Sequence, residues 1–211
     1  PTPSQKVSQV SMFGGKNITI KIVGDIYDDS YEASLVYSKK HKKTFIHPFD
    51  DEDVIIGQGT MALEILNQSL FPIDYLLVPI GGGGLISGLF NVFKQKSPKT
   101  RIIGIEPKGA PSMYESMRQN KRITLDRIDN FVDGAAVKTI GKISFDYCSK
   151  FLDDIVIVDE GEICQNILNM YNNDAIIVEP AGAMSITGLN KMSKSIKDKN
   201  VVCLICGGNN D

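Results

Sequence analysis

Four consecutive glycines constrain this chain more than any other feature. Gly81, Gly82, Gly83 and Gly84 follow the apolar run 75–80 (YLLVPI) and lead straight into the helix-patterned run 85–96. Glycine is entropically costly in ordered structure, so four together require a reason. A concave nest of backbone N–H groups at a helix N-terminus supplies one: no Cβ blocks the approach of an anion, and phosphate is the natural guest. The plain alternative is a tight turn between strand and helix, which needs one or two glycines. A Walker A loop is excluded because Gly88-Leu89-Phe90 stands where Gly-Lys-Ser/Thr is required. The dinucleotide fingerprint is also missed, since its third glycine falls on Ile86 or Ser87. Glu106, however, lies at nearly the spacing of a ribose-binding acid, and this keeps a dinucleotide-binding oxidoreductase domain as the alternative reading.

Around the loop, strand and helix patterns alternate. Strands are predicted at 17–23, 44–49, 75–80, 101–106, 155–158 and 201–206. Helices are predicted at 4–13 (Ser4 as N-cap, Gly14-Gly15 as stop), 27–43, 54–67, 85–96, 112–120, 160–171 and 180–194. Runs such as YLLVPI and VVCLIC are apolar throughout, as expected when helices cover both faces of a parallel sheet. The expected fold class is α/β, with open, mostly parallel sheets flanked by helices. The lysines Lys39, Lys40, Lys42 and Lys43 are read as cations at the negative end of a helix, and Asp50-Asp51-Glu52-Asp53 as acids at the positive end of the next.

Composition removes whole classes. Lys plus Arg is 23 against 25 Asp plus Glu, a formal charge of -2, so the basic surplus of a nucleic-acid binder is missing. No apolar run approaches the ~20 residues of a membrane span. Four scattered cysteines suit a reducing cytoplasm rather than a disulfide scaffold. Cys203 and Cys206 form a C-x-x-C, but on a strand their side chains point to opposite faces, which argues against a shared zinc ion with His41 or His47. Cys148 and Cys164 fall in helical stretches and are expected in the core. The opening Pro1-Thr2-Pro3-Ser4-Gln5 is neither a signal h-region nor an Arg-rich transit peptide, and reads as the start of a piece of something longer.

Nine segments in order then match a known pattern: PSQK (3–6), GDIYDD (24–29), FIHPFDD (45–51), GQGT (57–60), VPIGGGG (78–84), GIEP (104–107), DGAAV (133–137), VEPAGA (178–183) and CGGN (206–209). Together they resemble the serine/threonine dehydratase family of type II pyridoxal-phosphate enzymes over essentially the whole chain, with details closest to the threonine dehydratases. The resemblance implies the tryptophan synthase β-like fold, incomplete here. Residues 1–49 would be the second half of a small domain, and 50–211 most of the large cofactor-binding domain. It implies pyridoxal phosphate as cofactor and dehydration of L-threonine to 2-oxobutanoate and ammonia, serving isoleucine biosynthesis. Serine dehydration or racemisation is the alternative within the family. A cytoplasmic homo-oligomer acting on a small amino acid, without nucleic acid or membrane, is expected.

The same resemblance implies residue roles. Gly81, Gly82, Gly83, Gly84 and the Leu85 amide would hold the cofactor phosphate. Gly134 and Glu179 would line its ring, and Cys206 would face the pyridine nitrogen as a neutral partner that suits β-elimination. Glu106, Ala110 and Ser112 resemble the family's cation loop. Some relatives have Asp where Ser112 stands, so the missing charge favours potassium or sodium over a divalent ion. The plain alternative for this loop is a strand-to-helix turn. The family's Schiff-base lysine, carried in a Ser-Phe-Lys motif, does not occur between Pro1 and Asp211, so no catalytic residue is assigned and the chain by itself is expected to be inactive.

Overall fold

The structure, a computed structural model, describes residues 2–209; Pro1, Asn210 and Asp211, which the domain ranges above include, lie outside the described residues. Four parallel strands form its sheet: β1 (Tyr75–Pro79), β2 (Arg101–Pro107), β3 (Asp154–Val158) and β4 (Val201–Cys203), in the order β3-β2-β1-β4. The helices are α1 (Ser4–Gly14), α2 (Tyr27–His41), α3 (Glu52–Gln68), α4 (Gly84–Lys96), α5 (Ser112–Arg118), α6 (Lys142–Phe151), α7 (Glu160–Asp174) and α8 (Pro180–Met192).

Strand alternation sorts the core into two layers. Leu76, Val78, Ile80 and Ile102 face one side and pack with Ala62 of α3, Leu89 and Phe93 of α4, Met113 of α5 and Cys148 of α6. Leu77, Ile103, Ile105 and Val158 face the other and meet Ile163 and Met170 of α7 and Met184 of α8. Each buried side chain of this kind contributes roughly 1.5–3 kcal/mol through burial, and both faces need it, which explains the uninterrupted apolar strands. α3 lies close against α4 because Gly59 and Gly88 face each other: a Cβ on Gly59 would come within 3.1 Å of the Gly88 carbonyl.

The first fifty residues depart from expectation. The period-2 run 17–23 is not a strand: a single turn of 3-10 helix spans Gly15–Asn17, Ile18 is extended, and no ladder forms over residues 18–23. Residues 44–49 are likewise not a strand. Alternation marks a chain that can line a sheet, but a strand exists only where a neighbour supplies the ladder, and no described strand lies beside either run. Accordingly α1 and α2 bury no residue, while Phe13 is 82% and Ile22 65% exposed. Ser4 is the first helical residue of α1 rather than its cap, a place taken by Pro3. The last strand stops at Cys203, so Cys206 lies three residues beyond it. Cys148 is buried as expected, but Cys164 is exposed, because it sits beside Ile163 on α7 and one helical step turns it off the buried stripe.

Both charge clusters follow helix electrostatics, with one exception. Lys39, Lys40 and His41 occupy the last turn of α2. Asp51 caps α3 by accepting from the Asp53 and Val54 amides, and Glu52 and Asp53 fill its first turn. Asp50 does not join them.

Candidate functional site

The glycine loop forms the floor of a cavity of about 320 Å³, near the lower end of small-molecule sites. β1 delivers the chain to it, and α4 begins at Gly84 with Gly83 as N-cap. No side chain caps α4 and no acid stands in its first turn. The first amides of a helix have no partner within the helix, and here they open on the cavity. Gly81, Gly82, Gly83, Gly84 and Leu85 all line it, and so do Gly134 and Cys206. Uncapped N–H groups at a positive helix end can receive an anion; Asp133 also lines the cavity, its carboxylate paired with Lys6.

The glycines have a second purpose that the sequence did not reveal. A Cβ at Gly82 would run into the Phe49 ring, and one at Gly84 would lie 2.7 Å from the Phe49 carbonyl. Gly83 adopts φ +92°, and its Cβ would fall 2.6 Å from that of Ser144. The loop is therefore glycine-rich because protein packs against it as well as because a ligand could.

Beyond the cradle, Glu179 is buried at the start of α8 and its carboxylate stands between two glycines. A Cβ on Gly134 would lie 2.7 Å from Oε1, Gly207 leaves the room on the other side, and the Asn209 amide donates to Oε2 at 3.1 Å. Cys206 packs on the β1 layer that contains Leu76 and Val78, whereas Cys203 packs on the opposite one. Burial, reinforced by the Glu179 charge, pushes the Cys206 thiol up to about 11, so it presents a neutral S–H at physiological pH.

Glu106 is fully buried at the end of β2. Its carboxylate turns to the first turn of α5, where the Met113 and Tyr114 amides donate at 2.8 and 2.7 Å. Burial pushes its pKa up to about 8 against those two bonds. The orientation corrects the ribose-acid reading: a fully buried carboxylate engaged with α5 does not reach out to a sugar. Ser112 Oγ is buried without a hydrogen-bond partner among the described residues, and the Ala110 carbonyl already accepts from the Ser112 amide at 3.0 Å.

Sequence reasoning missed the side chains that hold the cradle. Asp50, 92 residues away in sequence, accepts from the Lys142 amide at 2.8 Å and the Ile143 amide at 2.8 Å, capping α6 from outside. Gly141, the residue before α6, donates to the Gly82 carbonyl at 2.9 Å. Only the better placement of Asp51 as the cap of α3 could have hinted that Asp50 was free for another helix. No lysine lines the cavity among the described residues; Lys6 pairs at 2.7 Å with Asp133, which does line it.

A family model described as "Pyridoxal-phosphate dependent enzyme" matches residues 1–207. Among curated proteins, the chain is 55% identical over 210 residues to an L-threonine dehydratase biosynthetic IlvA of Halalkalibacterium halodurans, and 49% identical over 210 residues to that of Bacillus subtilis. All of the chain is matched, but it covers 51% and 50% of those proteins, so it spans about half the length of the curated relatives. Among solved structures, the processed form of threonine deaminase isoform 2 from Solanum lycopersicum superposes with a TM-score of 0.91 at 37% identity, over 100% of this chain and 57% of the other. A maize serine racemase gives 0.88 at 30% identity, over 99% and 64%.

Proposed function

The chain belongs to this pyridoxal-phosphate-dependent enzyme family, and on that premise we propose that it is the cofactor-cradling part of an enzyme that dehydrates L-threonine to 2-oxobutanoate and ammonia in isoleucine biosynthesis. The observation that carries the reading is the uncapped start of α4, four glycines opening on a cavity that also meets a neutral thiol. When bound, pyridoxal phosphate supplies the electron sink that acidifies the substrate α-carbon and lets the β-hydroxyl leave. The amides of residues 81–85 would hold its phosphate, and Gly134 with Glu179 behind it would flank its ring. Cys206 would meet the pyridine nitrogen without protonating it. The test is formation of 2-oxobutanoate from L-threonine by the chain fused behind a lysine-bearing N-terminal half from a relative. Racemisation of L-serine without threonine turnover would overturn the substrate assignment. One methyl group separates the two substrates and is worth only ~1–3 kcal/mol of discrimination.

In such a fusion, Cys206→Ser should keep activity within about threefold, because hydroxyl and thiol are both neutral hydrogen-bonding groups. Cys206→Asp should protonate the ring nitrogen and raise the transamination by-product. The same product ratio in all three proteins would remove Cys206 from the ring.

We also propose that Glu106, the Ala110 carbonyl and Ser112 hold a monovalent cation beside the cradle, supported by the buried Ser112 Oγ that lacks a partner among the described residues. Exchanging potassium for a bulky organic cation in the same assay tests this; unchanged turnover and cofactor retention would count against it. Four cysteines without a disulfide, together with exposed apolar side chains on α1 such as Val10 and Met12, support a cytoplasmic homo-oligomer. Among the described residues no helix is long and apolar enough to cross a membrane.

A further inference from the structure

We propose that His47 is a positioning residue for the anion cradle and that it acts only as the neutral imidazole. The proposal rests on the glycine loop being that cradle, and begins with two hydrogen bonds. His47 Nδ1 accepts from the Asp50 amide at 2.8 Å and from the Phe49 amide at 3.2 Å. An asparagine or aspartate oxygen commonly serves the amides two and three residues ahead in this way. The neutral ring therefore carries its proton on Nε2.

The turn matters because of what its two amide donors do next. Phe49 lays its ring on Gly82 and its carbonyl against Gly84. Asp50 caps α6 through the Lys142 and Ile143 amides, and the residue before that helix, Gly141, donates to the Gly82 carbonyl. Two lines of contact thus leave the His47 turn and converge on Gly82, one through an aromatic ring and one through a helix end. The ring is wedged among Tyr31 of α2 (centroids 5.2 Å apart), Phe45 (6.0 Å) and Phe49 (4.6 Å), so it cannot swing away without disturbing that cluster.

Protonation of Nδ1 would turn the acceptor into a donor facing two N–H groups, and both bonds would be lost. The ionisable groups around the ring are the Asp50 and Asp51 carboxylates and the Tyr31 phenol of α2. Burial holds the imidazole below the ordinary histidine value, against the pull of the two carboxylates. The sign follows: a lowered folded-state pKa gives stabilisation that is present above about pH 6.5 and is lost as pH falls through the folded value.

The experiment compares the chain with H47N and H47L, using sulfate as the anion probe because its charge is constant from about pH 5 to pH 7.5, the range in which histidine titrates. Asparagine keeps an acceptor at the right reach but does not titrate; leucine removes it. The unsubstituted chain should lose about tenfold in sulfate affinity between those pH values, as both amide hydrogen bonds disappear. H47N should change by less than about twofold, and H47L should bind weakly throughout. The same pH dependence in the chain and H47N, or full affinity in H47L, overturns the proposal. If no protein binds sulfate at either pH, the cradle reading fails, and amide exchange of Phe49 and Asp50 still decides the role of His47. Protection lost in acid by the chain but kept by H47N supports it; protection unchanged in both refutes it.

Discussion

Gly83→Val is expected to lower the affinity for pyridoxal phosphate by about a hundredfold or more, measured by equilibrium dialysis, while leaving the helical content unchanged. Two independent penalties meet at this position. Its φ of +92° lies where β-branched residues are genuine outliers, and forcing an L side chain into left-handed backbone costs roughly 1–2 kcal/mol. The added Cβ would also lie 2.6 Å from that of Ser144, which is buried on α6 and has no room to retreat. The loop must move to relieve the contact, and a displacement near 1 Å typically costs about a hundredfold where several groups converge on one ligand atom. The damage should stay local, because the strands beneath keep their own ladder. Gly57→Ala is the matched control. A Cβ there meets nothing within 4 Å, on a helix where alanine is favoured by roughly 0.5–1 kcal/mol, so it should bind the cofactor normally and melt slightly higher. Cofactor affinity of Gly83→Val within about threefold of the unsubstituted chain would show that the phosphate lies elsewhere.

The second large effect concerns turnover. Expressed as these 211 residues, the chain should give no 2-oxobutanoate from L-threonine above background, whereas the same chain fused behind a lysine-bearing half should do so. The argument is one of proton transfer. A positioned acid–base group typically contributes 10²–10⁴-fold, roughly, and the described cavity contains no lysine to provide it. Phosphate binding at the cradle is a separate property built from local backbone, and it should persist without turnover. Turnover within about tenfold of the fusion would mean that another amine serves. The structure then names the one to remove: Lys6, paired with Asp133 of the cavity lining, whose Lys6→Ala variant should abolish that activity.

The chain's own letters were enough for the parallel sheet from residue 75 onward. Apolar strands of three to seven residues, the apolar stripes of the helices and a four-glycine turn are all short-range signals, written within a dozen positions of where they act. Asp51 capping α3 and the lysines ending α2 belong to the same class. Where a local signal needed a distant partner, it misled. The alternation of residues 17–23 was read as a strand, but no described strand pairs with it, and Glu106, spaced like a ribose acid, turned inward to α5.

Tertiary structure alone decided how the cradle is held. Asp50 reads locally as one more acid before α3, and only the folded chain carries it 92 positions away to the start of α6. His47 and Phe49 read as a turn, and only packing places that turn over Gly82. The glycines show both levels at once. Their number announces an open backbone, but Phe49, Ser144 and Ala135 make a Cβ too large there, and those neighbours come from 33 to 61 residues away along the chain. Local preferences are set by sterics and hydrogen bonds between near neighbours in sequence, whereas the close approach of remote segments is settled only when the two core layers have closed around the sheet.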